Sequence, residues 1–354
     1  MENITRKISY TVFALLGVPV FLYYSREILI PIVFAFLIWF IILIFKKFLE
    51  KIKVFNHQIP NFLQNIISTI IVFVLIFAIS SLVADNANEF AKVFPEYKEN
   101  VNAQILKLSE YTNVNIVEGI TNYIKGINFS KVLYSSFGFV TNAMGTLFLI
   151  LIYVIFLSGE KKYFKKKLQS SFKNSQSLKH TELVLEKISY SIQRYLSLKS
   201  TISLLTAGLS YIVLVFVGVD FAFLWAFLIF IFNFLPNIGS IIATFFPTAI
   251  ALIQFPTITE GIIVLISITV IQLIVGNVVE PKVIGNSLNL SSFVVILSLV
   301  FWGAVWGIAG MFLSVPLMVI LMIILSNIEK TKPIAIWLSA TGEVSKVKGI
   351  EKIK

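Results

Sequence analysis

The sequence predicts an all-α polytopic membrane protein with about six full spans and two re-entrant helical hairpins in an inverted repeat, which makes eight hydrophobic segments. Three observations lead to this fold class. Of 354 residues, 57% are apolar and 13% are charged, against about 45–50% and about 25% in soluble domains. The apolar runs are about 20 residues long, which suits helical spans better than barrel strands. Two runs are too long for one span and carry a helix break near their middle.

The N-terminal half contains four predicted spans, at residues 8–24, 28–45, 62–84 and about 132–158. A tight turn at residues 25–27 is expected to join the first two. The first run is not followed by a small-residue cleavage site, so it is interpreted as a span rather than a removable signal peptide.

Charge indicates how the chain is oriented in the membrane. The net charge is +11, and in residues 159–200 ten basic residues stand against three acidic ones. Basic loops mark the cytoplasmic side, so both termini are predicted to be cytoplasmic in a bacterial inner membrane. The same charge favours contact with anionic lipid and does not indicate nucleic-acid binding.

Six regions follow from this pattern. They are N-terminal membrane helices at 1–85, a small extracytoplasmic helical segment at 86–131, a membrane span at 132–158, a basic cytoplasmic amphipathic segment at 159–200, a transport core with two broken helices at 201–327 and a cytoplasmic tail at 328–354.

Two of the segments outside the spans are predicted to be helical. In the extracytoplasmic segment, Pro95-Glu96 is a favourable helix start. In the basic segment, Thr181-Glu182 is expected to cap a helix. The apolar stripe of that helix should pack against protein or lie in the membrane interface; it consists of Val184, Ile188, Ile192 and Tyr195.

Composition excludes several kinds of chemistry. The chain has no Cys and two His, His57 and His180, so disulfides, thiolate sites and imidazole-rich metal sites are not expected. There is no phosphate-binding G-x-x-x-x-G-K-[ST] motif. No nucleophile, base and metal constellation is present, so no enzyme activity, cofactor or metal is predicted.

The first over-long run covers residues 221–254. As one helix its 34 residues would be about 51 Å long against a hydrocarbon core of about 30 Å. Pro236 removes a backbone N–H, and Gly239 is expected to permit a positive φ. The run should therefore divide into two limbs of about 14 and 15 residues, each too short to span the membrane.

The second over-long run, residues 292–327, follows a span at 261–278 and is interrupted by a Gly- and Trp-rich stretch. A span followed by a broken segment thus occurs twice. If the broken segments are hairpins, each such unit crosses the membrane once, and the second unit is inverted relative to the first. Such inverted repeats with discontinuous helices are common in secondary transporters. Two additional full spans in place of the hairpins would give the same location of the C-terminus.

Several motifs in the C-terminal half occur in an order that is specific. They are Tyr195-Leu196 to Lys199-Ser200, Gly218-Val219-Asp220-Phe221, Asn233-Phe234-Leu235-Pro236-Asn237-Ile238-Gly239, Gln272 with Asn277-Val278-Val279-Glu280-Pro281-Lys282-Val283-Ile284-Gly285, and Trp302-Gly303 with Gly307, Gly310-Met311 and Val315-Pro316. Together they resemble the autoinducer-2 exporter (AI-2E) family of bacterial inner-membrane transporters. The resemblance implies a homo-oligomer, in this family a pentamer, whose hairpins bind solute in an elevator-like cycle. Members of the family have been linked to the quorum-sensing signal autoinducer-2 and to sodium/proton exchange.

The candidate substrate-binding residues lie around the two breaks and on the span between them. They are Asn233, Pro236, Asn237, Gly239, Ser240, Gln272, Asn277, Trp302, Gly303, Gly307 and Gly310. Unpaired buried amides are costly, so the Asn and Gln side chains either cap broken helix ends and bond to neighbouring helices, or bind a polar solute. The glycines favour close helix packing. The two tryptophans of the second run, Trp302 and Trp306, suit interfacial anchoring or stacking on a sugar-like ring.

Glu280 and Asp220 are the candidate coupling residues. Glu280 belongs to a family motif and lies two positions from Lys282, whereas Asp220 and Glu260 lie at span boundaries, where simple solvation is the alternative. The leading hypothesis is a secondary transporter that exports a small polar solute, with autoinducer-2 as a candidate. A monovalent cation (sodium)/proton antiporter and a non-transporting membrane assembly protein are the alternatives.

Overall fold

The computed structural model describes residues 17–50, 53–54, 57–112, 129–172, 174–284 and 289–344. Helices dominate these residues. In chain order they are α1 (17–24), α2 (Arg26–Glu50), α3 (Asn61–Thr112), α4 (Phe129–Ser171), α5 (Ser175–Val217), α6 (Ala222–Phe232), α7 (Ile238–Gln254), α8 (Thr259–Ile274), a π-helical turn (Val275–Val279), α9 (Glu280–Ile284), α10 (Ser292–Ser326) and α11 (Lys332–Leu338). Between α2 and α3, Lys53–Val54 pairs antiparallel with His57–Gln58.

Helices α1 and α2 meet at one residue, Ser25. Its N–H donates to the carbonyl of Phe21 (2.9 Å), and its own carbonyl accepts from the N–H of Leu29 (2.9 Å). Ser25 therefore ends one helix and begins the next, so the break is shorter than the predicted three-residue turn. The part of the first predicted span before residue 17 lies outside the described residues.

Helix α3 is a single helix of 52 residues, so the helix start predicted at Pro95-Glu96 is wrong. The helix continues from the predicted span into the predicted extracytoplasmic segment because that second part has its own packing surface. Phe90 and Tyr97 are only 2% and 5% exposed, and the Phe90 ring meets Trp225 edge-on at 5.5 Å. Burial of these aromatic side chains outweighs the local preference of Pro for a first helical turn.

Helix α5 also joins two predicted segments, the amphipathic helix and the following span. It begins at Ser175, and Thr181 is not its cap, because the Thr181 hydroxyl donates to the carbonyl of Ser177 one turn earlier (2.9 Å). The predicted apolar stripe is turned inward, since Ile192 and Tyr195 are buried. No charged cluster or Gly-Pro pair interrupts the sequence where the predicted span begins, so the helix continues.

The first over-long run forms a helical hairpin, hairpin 1, whose limbs α6 and α7 have 11 and 17 residues. The limbs pack against each other, with the rings of Phe232 and Phe246 stacked at 6.2 Å. At about 1.5 Å per residue the limbs are about 16 and 26 Å long. Neither limb reaches the hydrocarbon thickness of about 30 Å, as predicted.

The second over-long run, α10, is also bent back on itself and forms hairpin 2. Gly307 has non-helical backbone angles (φ 64°, ψ −143°) in the middle of the run. The Ser298 hydroxyl reaches the carbonyl of Ser314 (3.1 Å) across sixteen positions, which requires two antiparallel limbs. The predicted break is therefore confirmed, and the turn is at Gly307.

The chain forms two compact units. The first unit contains residues 1–68, 146–196 and 286–354, and the second contains residues 69–145 and 197–285. Hairpin 1 and α8 pack together in the second unit, and hairpin 2 lies in the first. The second unit therefore groups α8 with hairpin 1, because α8 packs on the limb α7, whereas the sequence pattern grouped this span with the second over-long run.

Five helices in the described residues are long and apolar enough to cross a membrane, and three more apolar helices are shorter. The long ones are Arg26–Glu50, Asn61–Phe90, Ser175–Val217, Thr259–Val283 and Ser292–Ser326; the shorter ones are Thr146–Glu160, Ala222–Phe232 and Ile238–Gln254. Their flanks expose many large apolar side chains, Phe216 at 87% for example, and lipid is the environment that stabilises such a surface. The all-α polytopic fold class is confirmed.

Candidate functional site

The tip of hairpin 1 is a strained three-residue turn centred on Asn237. The N–H of Ile238 donates to the carbonyl of Pro236 (2.6 Å), and Asn237 between them has φ 59° and ψ −54°. These values match the rare γ-turn with positive φ. Asn is among the few residues that tolerate positive φ, but strain of this kind persists only where the surrounding structure enforces it, often at functional sites.

Gly239 has a different role from the predicted one. The positive φ is at Asn237, and Gly239 is needed for space, because a Cβ there would lie 1.8 Å from the carbonyl oxygen of Phe232. The missing side chain lets the second limb lie directly against the end of the first. Gly239 is thus needed for the two limbs to pack closely, and the turn itself is made at Asn237.

The two tip asparagines have different environments. Asn233 ends α6, and its amide nitrogen donates to the hydroxyl of the fully buried Ser203 on α5 (3.1 Å). Asn237 stands at the N-cap position of α7, yet its side chain makes no cap hydrogen bond and is exposed. Only its carbonyl is bonded, by the Ser240 hydroxyl (2.8 Å). The capping interpretation therefore fails for Asn237, whose amide is available to a ligand.

The interior of the second unit contains polar side chains that lack partners. Among the described residues, the Ser210 hydroxyl of α5, the Thr248 hydroxyl of α7 and the amide nitrogen of Gln272 on α8 are buried without a hydrogen bond. Such groups cost about 1–3 kcal/mol each in proteins, and native structures contain few of them. Each of these atoms is closed off from solvent, so a polar solute could reach them only when the helices around them move.

Gln272 lies at about the level of the hairpin tip. Gly261 of α8 faces Leu252 of α7, where an added Cβ would lie 2.3 Å from the Leu252 side chain. The connection between these helices is short, so they run antiparallel. Eleven residues onward along α8 is Gln272, and eleven residues back along α7 is Ile241, just after the tip. The unpaired amide nitrogen of Gln272 therefore lies at about the same level along the helix axes as the strained turn at Asn237.

Asn277 does not join Gln272 on one inward face. It is exposed, whereas Gln272 is 9% exposed. Asn277 belongs to the π-helical turn at Val275–Val279, a rare feature that occurs often at functional sites. The inserted residue rotates everything that follows it, including Glu280. Sequence reasoning did not predict this turn.

Glu280 forms an ion pair that the sequence analysis did not identify. Its carboxylate oxygen lies 2.5 Å from the ammonium of Lys199 on α5, and the two side chains are 27% and 7% exposed. Lys282 is exposed and is not the partner. The pair holds the end of the α8–α9 helix to α5. A lysine at the edge of an apolar segment was a usable signal, since ionisable groups in such segments are usually paired and functional.

Asp220, at the base of hairpin 1, is bonded rather than simply solvated. Its carboxylate accepts from the Tyr97 hydroxyl (2.6 Å), and its N–H donates to the side chain of Gln254 (2.8 Å). Asn100 donates to the carbonyl of Gln254 (2.7 Å). Tyr97 and Asn100 both belong to α3, so that helix is tied to the start and the end of hairpin 1. Glu260 accepts from the hydroxyl of Thr257 in the next connection.

The tip of hairpin 2 contains no amide or charged side chain. Gly307 makes the turn, and a Cβ on Gly310 would lie 1.9 Å from the carbonyl oxygen of Trp302. Gly303 faces Met311, whose side chain would lie 3.0 Å from a Cβ added at Gly303. Trp306 is 6% exposed and donates its indole N–H to the carbonyl of Leu22 (2.9 Å). Buried and bonded, Trp306 fits neither of the predicted roles, interfacial anchoring or stacking on a ring.

Trp302 packs next to Trp306, with ring centroids 4.9 Å apart, and is half-buried. Within the residues that the structure describes, no group of three His, Cys, Asp or Glu side chains could hold a metal ion.

Comparison with known proteins agrees with this architecture. Residues 10–330 match the model of the AI-2E family transporters. The AI-2 transport protein TqsA of Escherichia coli K12 is 30% identical over 322 residues, which are 89% of this chain and 90% of TqsA. A putative transport protein of Borreliella burgdorferi is 35% identical over 235 residues, 65% of each chain. YhhT of E. coli K12, also a putative transport protein, is 32% identical over 257 residues, 70% of this chain and 72% of YhhT. Family and relatives are membrane transport proteins rather than enzymes, and the chain belongs to the AI-2E transporter family.

Proposed function

We propose that this protein is a secondary transporter that exports a small, polar, uncharged solute across the bacterial inner membrane, with autoinducer-2 as the first candidate substrate. The observation that carries the proposal is the free amide of Asn237 on a strained turn at the tip of hairpin 1. An exposed amide offers two donors and an acceptor, which suits the hydroxyl groups of a polyhydroxylated solute.

The buried groups of the second unit support the same proposal. The Gln272 nitrogen and the Thr248 hydroxyl are without partners among the described residues, and neither carries a charge. The unpaired atom of Gln272 is an N–H donor, which suits a hydroxyl or carbonyl oxygen of a solute and cannot coordinate a cation. We assign the solute contacts to the tip of hairpin 1 and to Gln272, with hairpin movement of the elevator type carrying the solute.

The name TqsA, of the relative aligned over most of its length, supports the choice of solute. That protein is an AI-2 transport protein by name. The direction of transport, the homo-oligomeric state (a pentamer by family resemblance) and the cytoplasmic location of both termini belong to the proposal. The basic cluster at Lys165, Lys166 and Lys167, exposed at the end of α4, supports that orientation under the positive-inside rule.

A monovalent cation/proton antiporter is the second candidate, and the Lys199–Glu280 pair is the observation that favours it. A carboxylate that a lysine neutralises in an apolar unit can exchange the ammonium for a sodium ion or a proton. In this mechanism Glu280 would have to leave Lys199 during the cycle. The pair serves equally well as a fixed tie between two helices, and for this reason solute export ranks first.

Uptake into inside-out membrane vesicles separates the two candidates. Vesicles that contain the wild-type protein, Asn237→Gly or Glu280→Gln are given autoinducer-2 or sodium, with and without an imposed proton gradient. Solute export predicts autoinducer-2 uptake that is lost in Asn237→Gly. Gradient-driven sodium uptake that is lost in Glu280→Gln, with no autoinducer-2 uptake, would establish the antiporter instead.

Single-cysteine labelling tests the proposed orientation. The absence of native Cys allows Thr257→Cys and Asn286→Cys to be modified cleanly. The proposed topology with two hairpins predicts that residue 257 is outside and residue 286 is in the cytoplasm, so an impermeant thiol reagent should label only Thr257→Cys in intact cells. Labelling of Asn286→Cys with protection of Thr257→Cys would reject this orientation.

A further inference from the structure

One face of α5 is polar although it is buried. Lys199, Ser203, Thr206 and Ser210 follow one another at intervals of four, three and four residues, so they lie on one side of the helix. All four are buried, and the three hydroxyl residues are 0% exposed. Lys199 pairs with Glu280, whereas the other three, the hydroxyl face of α5, have no role in the function proposed above.

Hairpin 1 and α8 cover this face. Asn233, at the end of α6, donates to the Ser203 hydroxyl. Ala207 and Leu214 flank Ser210, three residues before it and four residues after it, on the same side of α5. Both belong to a buried cluster that includes residues of both hairpin limbs and of α8, namely Trp225, Ile229, Ala243, Ile250, Val264 and Ile268. Ser203 and Ser210 therefore lie on the side of α5 that faces the hairpin.

The three hydroxyls of the face differ in how they are bonded. Thr206 donates to the carbonyl of Ile202 on its own helix (2.9 Å), which is a common arrangement for a hydroxyl within a helix. The Ser203 oxygen accepts from Asn233, and the Ser210 hydroxyl has no partner among the described residues. Once the face is uncovered, Ser210 can bind a ligand without losing a bond, and Ser203 can do so in place of Asn233.

Gln272 of α8 adds a donor near the same level. The helices of this unit follow one another through short connections and run antiparallel, and Gln272 lies at the level of Ile241 on α7. Counting along the two limbs to the Asn233–Ser203 bond places Gln272 between the levels of Ser203 and Ser210. Its unpaired N–H and the two serine hydroxyls therefore form one set of hydrogen-bonding groups, which suits the hydroxyl groups of a polyhydroxylated solute.

Hairpin 1 is fastened more firmly at its base than at its tip. At the base, the Gln254 side chain donates to the carbonyl of Gly218 (2.9 Å) and accepts from the N–H of Asp220 (2.8 Å), and α3 adds two further hydrogen bonds. At the tip, the polar side chains make one hydrogen bond to another helix among the described residues, from Asn233 to Ser203. The apolar contacts around it have no direction, and lipid can replace them. The tip is therefore the end that can move away from α5.

From these contacts we infer that the hydroxyl face of α5 is part of the solute site and that hairpin 1 is the lid over it, with the Asn233–Ser203 hydrogen bond as its latch. The inference rests on the proposed export of a neutral, polyhydroxylated solute. When the tip moves away from α5, the amide of Asn233 and the hydroxyls of Ser203 and Ser210 become accessible. The solute then binds these groups in place of the latch, and the latch forms again after release.

Thiol accessibility tests the lid, because the chain has no native Cys. Ser203→Cys, Ser210→Cys and the control Ser298→Cys are exposed to a small charged methanethiosulfonate reagent in open membrane fragments without solute. Ser298 is also buried, but its hydroxyl joins the limbs of hairpin 2. The two α5 cysteines should react several-fold faster than Ser298→Cys. Equal rates at all three positions, or no reaction at either α5 cysteine, would overturn the lid.

A variant of the latch assigns the movement to hairpin 1. In the Ser210→Cys protein, Asn233→Ala removes the latch and should raise the reaction rate roughly fivefold, the effect of one lost hydrogen bond. Asn86→Ala is the matched control and should leave the rate unchanged, because the Asn86 amide is bonded to the carbonyl of Leu82 on its own helix, α3 (2.8 Å). If Asn233→Ala changes the rate no more than Asn86→Ala does, the bond is not a latch.

Added autoinducer-2 separates the lid from the choice of solute. If this solute binds the hydroxyl face, it should slow the reaction of Ser210→Cys several-fold. A reaction that the latch variant accelerates and autoinducer-2 does not slow would support the lid and reject the binding of this solute to the face. Autoinducer-2 uptake by Ser203→Cys and Ser210→Cys proteins whose cysteines stay unreactive would support export and reject the lid. Size-exclusion profiles of all variants confirm that folded proteins are compared.

Discussion

The two hairpins close in the same way but have different tips. In each, a glycine on the second limb admits a backbone carbonyl of the first, with Gly239 against Phe232 and Gly310 against Trp302. Hairpin 1 then turns through a strained asparagine that offers a free amide, whereas hairpin 2 turns at one glycine between hydrophobic residues. Both hairpins therefore close through the same kind of glycine–carbonyl contact, and they differ in the chemistry of the residues at the tip.

The difference indicates that the two tips have different roles. Near the tip of hairpin 2 the side chains contact other parts of the protein, since Trp306 is bonded to the carbonyl of Leu22 and Phe312 stacks on Phe34 of α2 at 5.9 Å. At the tip of hairpin 1 the amide of Asn237 makes no cap hydrogen bond, and the backbone of this residue is strained. Solute contacts are accordingly expected at the first tip, and structural effects at the second.

The largest expected effect follows from the shared closure. Gly239→Ala and Gly310→Ala each place a methyl group within 2 Å of a backbone carbonyl oxygen, which no rotamer can relieve. We expect each to lose roughly 3 kcal/mol or more of stability, seen as lower folded yield and a lower midpoint of thermal unfolding in detergent. The control is Gly208→Ala on α5, where no atom lies within 4 Å of the added carbon. A tolerated alanine at either hairpin glycine would mean that the two hairpins close differently.

The next effect concerns the ion pair of the second unit, which has no buried counterpart among the described residues of the first. Lys199→Met leaves Glu280 without its partner, and breaking a buried pair costs about 3–5 kcal/mol. Because the Glu280 side chain is 27% exposed, we expect about half of this, measured by thermal unfolding. Lys167→Met is the control, since its pair with Glu160 is exposed and contributes little. Equal effects of the two variants would show that the Lys199 pair is as solvated as the surface one.

Much of this fold could be predicted from hydropathy and from Pro and Gly, because span length and helix breaks are local properties. Both breaks were expected within the runs where they occur. Packing decided the rest. Helix α3 continues through Pro95 because Phe90 before it and Tyr97 after it are both buried, and no local pattern indicates that partner surface. In the same way, Glu280 was recognised as a candidate, but Lys199 lies 81 positions away and only the fold brings them together.

An intermediate effect separates the amide of Asn237 from its backbone conformation. Asn237→Gly and Asn237→Ala both remove the amide, but glycine relieves the positive φ and alanine does not. If the amide binds solute, both variants should lose about tenfold in transport, in keeping with one polar interaction of about 1–3 kcal/mol. Thermal unfolding should rank the glycine variant above the alanine variant. Transport lost in Asn237→Ala but kept in Asn237→Gly would mean that turn geometry, and not the amide, is required.

The smallest effect concerns the base of hairpin 1, which α3 holds at two points. Tyr97→Phe keeps the ring in the aromatic core and removes the hydroxyl that donates to Asp220 (2.6 Å). One such hydrogen bond contributes about 1 kcal/mol, so the unfolding midpoint should fall slightly, and Tyr211→Phe, exposed on α5, should leave it unchanged. Hydrogen exchange gives the sharper measurement, because the Asp220 N–H is held by Gln254. If α3 fixes the base of the hairpin, this amide and the first turn of α6 should exchange faster in Tyr97→Phe, while the tip of hairpin 2 stays as in the wild type. Unchanged exchange at Asp220 would show that Gln254 and Asn100 hold the base without the tyrosine, and that the two hairpins differ at their tips alone.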